Sequence, residues 1–283
     1  MKTFDLLKKT ESLLRLSDVS SPRLESELLL AYILGCSRAD LYGSKFDETS
    51  KDSAEKFLDL IKRRQKKEPI AYLLGTKEFM GLSFKVTRAT LIPRPETELL
   101  VTAVEDFFKK TDHEQSILDL GTGTGCIALS LAYRSPSFKI TAIDFSEQAL
   151  CVARANANNL DLSSRVSFLK RDILDPSFWD ELPRFQALVS NPPYIGESEA
   201  QDLSKDVLDY EPRSALFAEN EGLAFYESFA KNARKCLQKN GRLFLELSPV
   251  IYESVINIFQ KNSWTLEETI KDYTGHKRHI VLS

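Results

Sequence analysis

The segment Ile117-Leu118-Asp119-Leu120-Gly121-Thr122-Gly123-Thr124-Gly125 constrains this chain more than any other. An apolar strand runs straight into a glycine-rich turn, and the turn runs straight into the helical stretch Ile127-Ala128-Leu129-Ser130-Leu131-Ala132. Glycines let a backbone approach a bound molecule closely, and open α/β sheets hold ligands in the crevice beyond their strand C-termini. The next predicted strand ends in Asp144, nineteen residues past Gly125, where a carboxylate can accept from both hydroxyls of an unphosphorylated ribose. Strand, loop, helix and distal acid together predict a Rossmann-like unit with an adenosine-type ligand.

The spacing narrows the ligand. A pyrophosphate grip needs Gly-x-Gly-x-x-Gly, whereas here the third glycine is Gly125 and positions 126 and 127 are Cys and Ile. Asp119, beneath the loop, would repel a pyrophosphate and tolerate the sulfonium and ammonium groups of S-adenosyl-L-methionine, which has no phosphate. Asp119 has a structural alternative as a brace for loop N–H groups, and both roles are compatible. After the third predicted strand, Asp172 is placed to accept from an adenine amino group and Ile173 to contact the ring. The competing reading of Lys170-Arg171-Asp172 is a polar strand exit.

A second motif sits at the same sheet rim. Phe185 to Ser190 reads as a buried strand, and Asn191-Pro192-Pro193-Tyr194 follows it. Pro193 has no N–H, so the Pro192 carbonyl stands without a neighbouring donor, and the Asn191 side-chain carbonyl is a second acceptor beside it. Two fixed acceptors grasp both hydrogens of an NH2 group. That grip suits an amide or aryl amine, whose delocalised lone pair is a poor nucleophile and must be aimed at the methyl group. Tyr194 is read as a stacking surface for a planar substrate, worth about 1 kcal/mol. No strong base is required, because methylation itself makes the nitrogen acidic. The motif alone fits a nucleobase and an amide equally.

The remainder of the chain supplies the frame. Leu24, Leu28, Leu29 and Ile33 recur at helical spacing after Ser20-Ser21-Pro22, with Gly35 as the stop, and another helix is expected from Lys51 through the basic run 62–67, which reads as a solvated face or else as a contact for phosphates or an acidic partner. We therefore expect an N-terminal helical domain over residues 1–72. A β-hairpin linker over 73–93 is expected from Glu78-Phe79-Met80 and Ser83 to Val86, and a catalytic α/β domain over 94–283. Its strands are predicted at 116–120, 139–143, 166–170, 187–190 and 242–247, with a closing hairpin at 266–272 and 279–282.

Charge and cysteine usage exclude several classes. Residues 1–90 hold 17 Lys/Arg against 13 Asp/Glu and residues 91–283 hold 21 against 28, so the larger part is acidic. An acidic catalytic part disfavours nucleic acid as the direct substrate. Cys36, Cys126, Cys151 and Cys236 lack C-x-x-C spacing, and His113, His276 and His279 lack metal-ligand spacing, so neither a metal nor a disulfide framework is expected. No apolar run approaches membrane-spanning length, and MKTFDLLKKT lacks the apolar core of a signal peptide, so a cytoplasmic location is expected.

With Ile92-Pro93-Arg94-Pro95-Glu96-Thr97-Glu98 and Glu211-Pro212-Arg213-Ser214-Ala215-Leu216 added to these motifs, nearly the whole chain resembles the N5-glutamine methyltransferases of peptide chain release factors (PrmC/HemK). The Pro-Arg-Pro-Glu-Thr-Glu segment is characteristic of that family, whereas Asn-Pro-Pro-Tyr is shared with adenine-N6 and guanine-N2 methyltransferases. The resemblance implies a class I methyltransferase with a seven-stranded mixed sheet and a helical N-terminal domain that helps engage class I release factors. It implies methylation of the glutamine in their Gly-Gly-Gln loop, with S-adenosyl-L-methionine converted to S-adenosyl-L-homocysteine. The cofactor residues would be Asp119, Gly121, Thr122, Gly123, Thr124, Gly125, Asp144, Asp172, Ile173 and Asn191. Asn191, Pro192, Pro193 and Tyr194 would hold the substrate amide, with Arg94 and Glu96 closing the glutamine pocket or bracing the domain junction. Ile173 stands where some members carry an aromatic, which predicts a weaker adenine stack. Three alternatives remain: a base methyltransferase on ribosomal RNA or DNA, a non-catalytic adenosine-binding module, and, given the loop spacing, a weaker NAD oxidoreductase.

Overall fold

A computed structural model describes residues 2–111 and 113–283, which divide into two compact units: 1–76 with 204–210, and 77–203 with 211–283. Helices of the first unit bury their apolar faces against one another. Helices α1 (Thr3–Leu16), α2 (Pro22–Leu34), α3 (Lys51–Gln65) and α4 (Ile70–Leu74) enclose Leu6, Leu14, Leu29, Leu30, Phe57 and Ile61. Pro22 opens α2 and Gly35, at φ +62°, closes it, while Ser21 makes no side-chain cap bond. The short helix Lys205–Tyr210 belongs to this unit, and the Tyr210 hydroxyl donates to the Lys66 carbonyl at 2.9 Å.

The helix expected from the leucine stripe forms as α2, but the stripe coincides only partly with the buried face: Leu29 is fully buried, Leu28 and Ile33 are half-buried, Leu24 is exposed, and Glu25 and Ser26 lie inside beside Leu29 and Leu30. Buried polar groups persist when partnered, and here Ser26 bonds Thr10 at 2.6 Å while Glu25 accepts from Arg64. The basic run is likewise only partly a solvated face. Arg64 is buried, Arg63 forks onto Glu68 through two bonds of 2.8 Å, and the Lys67 ammonium donates to the Ser17 carbonyl at 2.6 Å.

The hairpin β1 (Thr76–Phe79) and β2 (Leu82–Lys85) turns at Met80 and Gly81, both at positive φ, so Met80 belongs to the turn and not to a strand. Beyond helix α5 (Glu98–Phe108), β3 (Gln115–Leu120), α6 (Cys126–Arg134), β4 (Phe138–Asp144), α7 (Glu147–Asn159) and β5 (Val166–Lys170) alternate as parallel sheets require. They continue with β6 (Phe185–Ser190), α8 (Ala224–Asn232), β7 (Leu237–Glu246) and α9 (Tyr252–Lys261), ending in the antiparallel pair β8 (Leu266–Lys271) and β9 (Lys277–Leu282). The seven strands lie in the order β5-β4-β3-β6-β7-β9-β8, parallel except at β7-β9 and β9-β8.

Strand residues alternate between two cores. Leu118, Leu188 and Leu243 enter the core with α8 and α9, while Ile117, Ala187 and Phe244 enter the core with α5 and α6. The chain leaves β3 toward β4 and later returns to β3's other side as β6, so the order reverses between β3 and β6. That reversal opens a crevice at the strand C-termini, flanked by the two loops singled out above. No helix among the described residues is long and apolar enough to cross a membrane.

Candidate active site

Beyond that reversal lies a cleft of about 950 Å³, including the space open at its mouth. Gly121 and Gly123, at φ +78° and +56°, line it, as do Thr122 and Thr124. A side chain at Gly123 would meet nothing within 4 Å, so the loop presents bare backbone to open space. Gly125 has a different reason to be glycine. It sits outside the lining, and a Cβ there would come 3.0 Å from Leu129 and 3.3 Å from Ala153, so it serves the packing of α6 and α7. Asn156 in α7 fastens this corner: its amide donates to the Thr124 and Lys85 carbonyls at 2.9 and 3.0 Å and accepts from the Lys85 N–H at 2.7 Å.

Asp144 ends β4 in the cleft wall. The Gly123 N–H donates to its Oδ2 and the Ser146 N–H to its Oδ1, both at 2.9 Å, which fixes the carboxylate with one lone pair of each oxygen still available. Burial raises its pKa, opposed by those amides. Asp119 is placed differently from Asp144. It is fully buried behind the loop, does not line the cleft, and accepts from the Thr122 hydroxyl at 2.6 Å. Burial pushes its carboxyl up to about 7, against the pull of the Thr122 hydroxyl and the Ala128 amide. Its Oδ1 meets no donor at hydrogen-bonding geometry among the described residues.

The Ser190 hydroxyl ties the end of β6 to the Leu120 carbonyl at 2.6 Å, setting the two motif loops side by side. Asn191, Pro192 and Pro193 line the same cleft beside the glycine turn. Asn191 Nδ2 donates to Thr97 Oγ1 at 3.0 Å, which leaves its Oδ1 as the end able to accept from a ligand. Tyr194 is not brought to the cleft. Its ring packs against the core of α8 and α9, where burial and the nearby Glu246 charge push its phenol well above the usual value. The Cys126 thiol lines the cleft, but burial pushes it up to about 12, so it offers no thiolate near neutrality.

Of the other expected residues, Asp172 and Ile173 line the cleft, Asp172 Oδ1 accepting from the Leu174 N–H at 2.9 Å. Arg94 lines it too, bonded to Glu211, whose other oxygen accepts from the Ile92 N–H at 3.0 Å. Glu96 does not reach it. Phe145 was missed by the sequence reading although it follows Asp144 directly; it lines the cleft 51% exposed and gives its wall an apolar face. Thr97 was missed as well, since nothing in its local sequence tells that it meets Asn191.

The cleft offers bare backbone at Gly121 and Gly123, a fixed carboxylate at Asp144 and apolar walls from Phe145 and Ile173, a set that can hold a nucleoside. Comparison with known proteins gives the family. Residues 5–75 match the PrmC N-terminal domain and residues 95–210 the methyltransferase small domain. A release factor glutamine methyltransferase of Rhodopirellula baltica is 37% identical over 98% of this chain and 94% of its own length, and one of Leptospira interrogans is 37% identical over 98% and 96%. A bifunctional methyltransferase of Rickettsia felis is 35% identical over 98% of this chain, which spans 57% of that longer protein. Among solved structures, a methyltransferase from Pyrococcus furiosus shares the fold, with a TM-score of 0.50 at 18% identity over 71% of this chain and 88% of that one. With that identity running nearly end to end through both units and both motif loops, the chain belongs to the release factor glutamine methyltransferase family.

Proposed function

We propose that this protein transfers a methyl group from S-adenosyl-L-methionine to the side-chain amide nitrogen (N5) of the glutamine in the Gly-Gly-Gln loop of class I peptide chain release factors, in the cytoplasm. The observation that carries this reading is that Asn191, Pro192 and Pro193 line one cleft together with Gly121, Gly123 and Asp144. When bound, S-adenosyl-L-methionine supplies a methyl carbon made electrophilic by its sulfonium and keeps the C–S bond pair as S-adenosyl-L-homocysteine.

The chain's own residues do the rest by holding. Asp144 accepts from the ribose hydroxyls with the lone pairs left over from its two amide bonds, and Phe145 and Ile173 enclose the base, with Asp172 at its polar edge. The bare backbone at Gly121 and Gly123 admits the tail, and Asp119 braces the turn through Thr122. Asn191 Oδ1 and the Pro192 carbonyl accept the two N–H bonds of the glutamine amide and so aim its lone pair at the methyl carbon. As the N–C bond forms the nitrogen becomes acidic, and its proton leaves to solvent. Neither Tyr194 nor Cys126 takes it, because both are held in their protonated forms. Arg94, fixed by Glu211, borders the glutamine side of the cleft, and the helical segment 1–72 engages the body of the release factor.

Radiolabelled S-adenosyl-L-methionine supplied with release factor, ribosomal RNA and DNA in parallel tests the reading. Label is expected in the release factor and should vanish when the Gly-Gly-Gln glutamine is changed to alanine. Label in RNA or DNA alone would refute it.

A further inference from the structure

Asn191 grips an amide NH2 only if its carbonyl, and not its own NH2, faces the substrate. The two ends of a carboxamide have nearly the same shape, so packing does not choose between them; the hydrogen-bond partners do. Here the partner is Thr97 Oγ1, 3.0 Å from Asn191 Nδ2. A threonine hydroxyl both donates and accepts, so alone it would satisfy either end of Asn191 equally well.

What breaks the tie lies one step deeper. Thr97 Oγ1 is 2.7 Å from Glu246 Oε2, and Glu246 is 1% exposed at the end of β7. An ionised carboxylate only accepts, so it claims the Thr97 proton and turns the threonine lone pair toward Asn191 Nδ2. The same Oε2 lies 3.3 Å from Nε2 of His279, a fully buried residue directly opposite Glu246 in the β7-β9 register. The other ring nitrogen, Nδ1, has no partner among the described residues. A neutral imidazole with its proton on Nε2 fits both facts: it donates to Glu246 and leaves an unpaired acceptor at Nδ1, where a charged ring would bury an unpaired N–H.

We propose that Thr97, Glu246 and His279 are positioning residues that fix which end of the Asn191 amide faces the substrate, with the Glu246 carboxylate setting the direction of every hydrogen bond in the chain. This rests on the reading of Asn191 as the acceptor for the glutamine NH2. Reversal of the relay presents Asn191 Nδ2 to the substrate, and two donors then face each other.

The test uses the full chain with a release factor and compares Thr97→Val, which keeps the shape and removes the hydroxyl, with Thr97→Ser, which keeps the hydroxyl. Thr97→Val is expected to lower kcat on the order of 10- to 100-fold, the range for losing one orienting contact at a reacting centre. Its Kd for S-adenosyl-L-methionine should stay within about 3-fold, and Thr97→Ser should recover most of kcat. Wild-type kcat in Thr97→Val, or an equal loss of cofactor affinity that Thr97→Ser does not restore, overturns the relay. If Thr97→Val does not fold, Glu246→Gln takes its place. It keeps the shape and ends the acceptor-only character, so a fall in kcat of roughly 10-fold is expected and an unchanged kcat overturns the proposal. The wild-type arm separates the two readings: labelling of the release factor by wild type together with an unaffected Thr97→Val sinks the relay alone, whereas no labelling by wild type sinks the substrate assignment and the relay with it.

Discussion

Gly222→Ala is a sharp probe of how the substrate loop is held. Gly222 sits at φ +84°, after two further left-handed residues, Asn220 and Glu221, and directly beneath the backbone that continues from the Asn-Pro-Pro-Tyr motif. A Cβ there would lie 2.3 Å from the Tyr194 carbonyl oxygen and 2.8 Å from its carbon. An ordinary contact is near 3.2 Å or more, so one backbone must move by about 1 Å. Left-handed backbone costs an L-residue about 1–2 kcal/mol and overpacking typically a further 1–3, giving a loss of roughly 2–5 kcal/mol in stability. Any part of the shift taken by Tyr194 passes to Asn191 and Pro192 through two stiff prolines, and a misplacement of about 1 Å at a reacting centre can cost on the order of 100-fold in rate. Urea denaturation reads the first effect, and single-turnover methyl transfer read beside cofactor affinity reads the second. Expected are a lower midpoint and a rate reduced 10- to 100-fold, with Kd for S-adenosyl-L-methionine changed by less than about 3-fold, because Gly123 and Asp144 are braced separately. Wild-type stability would show that the close approach carries no constraint. A destabilised variant with an undiminished rate would show that strain at Gly222 does not reach the motif.

Three further outcomes follow from the same geometry. Asp144→Asn puts an NH2 where the Gly123 or Ser146 N–H now donates, so Kd for S-adenosyl-L-methionine, read by calorimetry, should rise roughly 10- to 100-fold with kcat at saturation little changed; unchanged affinity would remove Asp144 from the cofactor site. Arg64→Leu strands the buried Glu25 carboxylate and should cost about 3–5 kcal/mol, much of it recovered when Glu25→Leu is added; a loss below about 1 kcal/mol in the single variant would contradict the burial assigned to the pair. Burial holds the Asp119 carboxyl at about 7, above the ~3.9 of an unfolded aspartate, so between those values the folded chain retains a proton that the unfolded chain has released. Stability should therefore fall as pH rises through that window and level off above it, and relative to Asp119→Asn the wild type should lose up to about 4 kcal/mol between pH 4 and 7; a difference constant with pH would refute the assignment.

Short-range pattern made much of this molecule legible. The β3-turn-α6 unit, Asp144 at the end of β4, the motif after β6 and the closing hairpin each depend on a few neighbouring residues whose periodicity and turn chemistry read directly. Placing both loops on one rim needed only the rule that ligands gather at strand C-termini. Residue choice within an element was less legible. On α2 the apolar spacing pointed to Leu24, yet Glu25 and Ser26 are inside, because Arg64 and Thr10 on other helices satisfy them, and no local window contains those partners. Tyr194 looked available for stacking, but its half-buried ring packs against the core beside α8 and is not part of the cleft lining.

The sequence by itself thus determined the class of sheet and the place of both motif loops on its rim, and it carried the proposals for the ligand and for the NH2 acceptors, since these rest on backbone conformation and side-chain chemistry over stretches of four to nine residues. Only the tertiary structure decided how Asn191 is aimed. Its partner Thr97 is 94 residues away, Thr97 finds Glu246 149 residues away, and Glu246 faces His279 through the antiparallel register of β7 and β9. Hydrogen-bond direction is a property of the whole connected chain of donors and acceptors, and that chain exists only once the sheet has brought its members together.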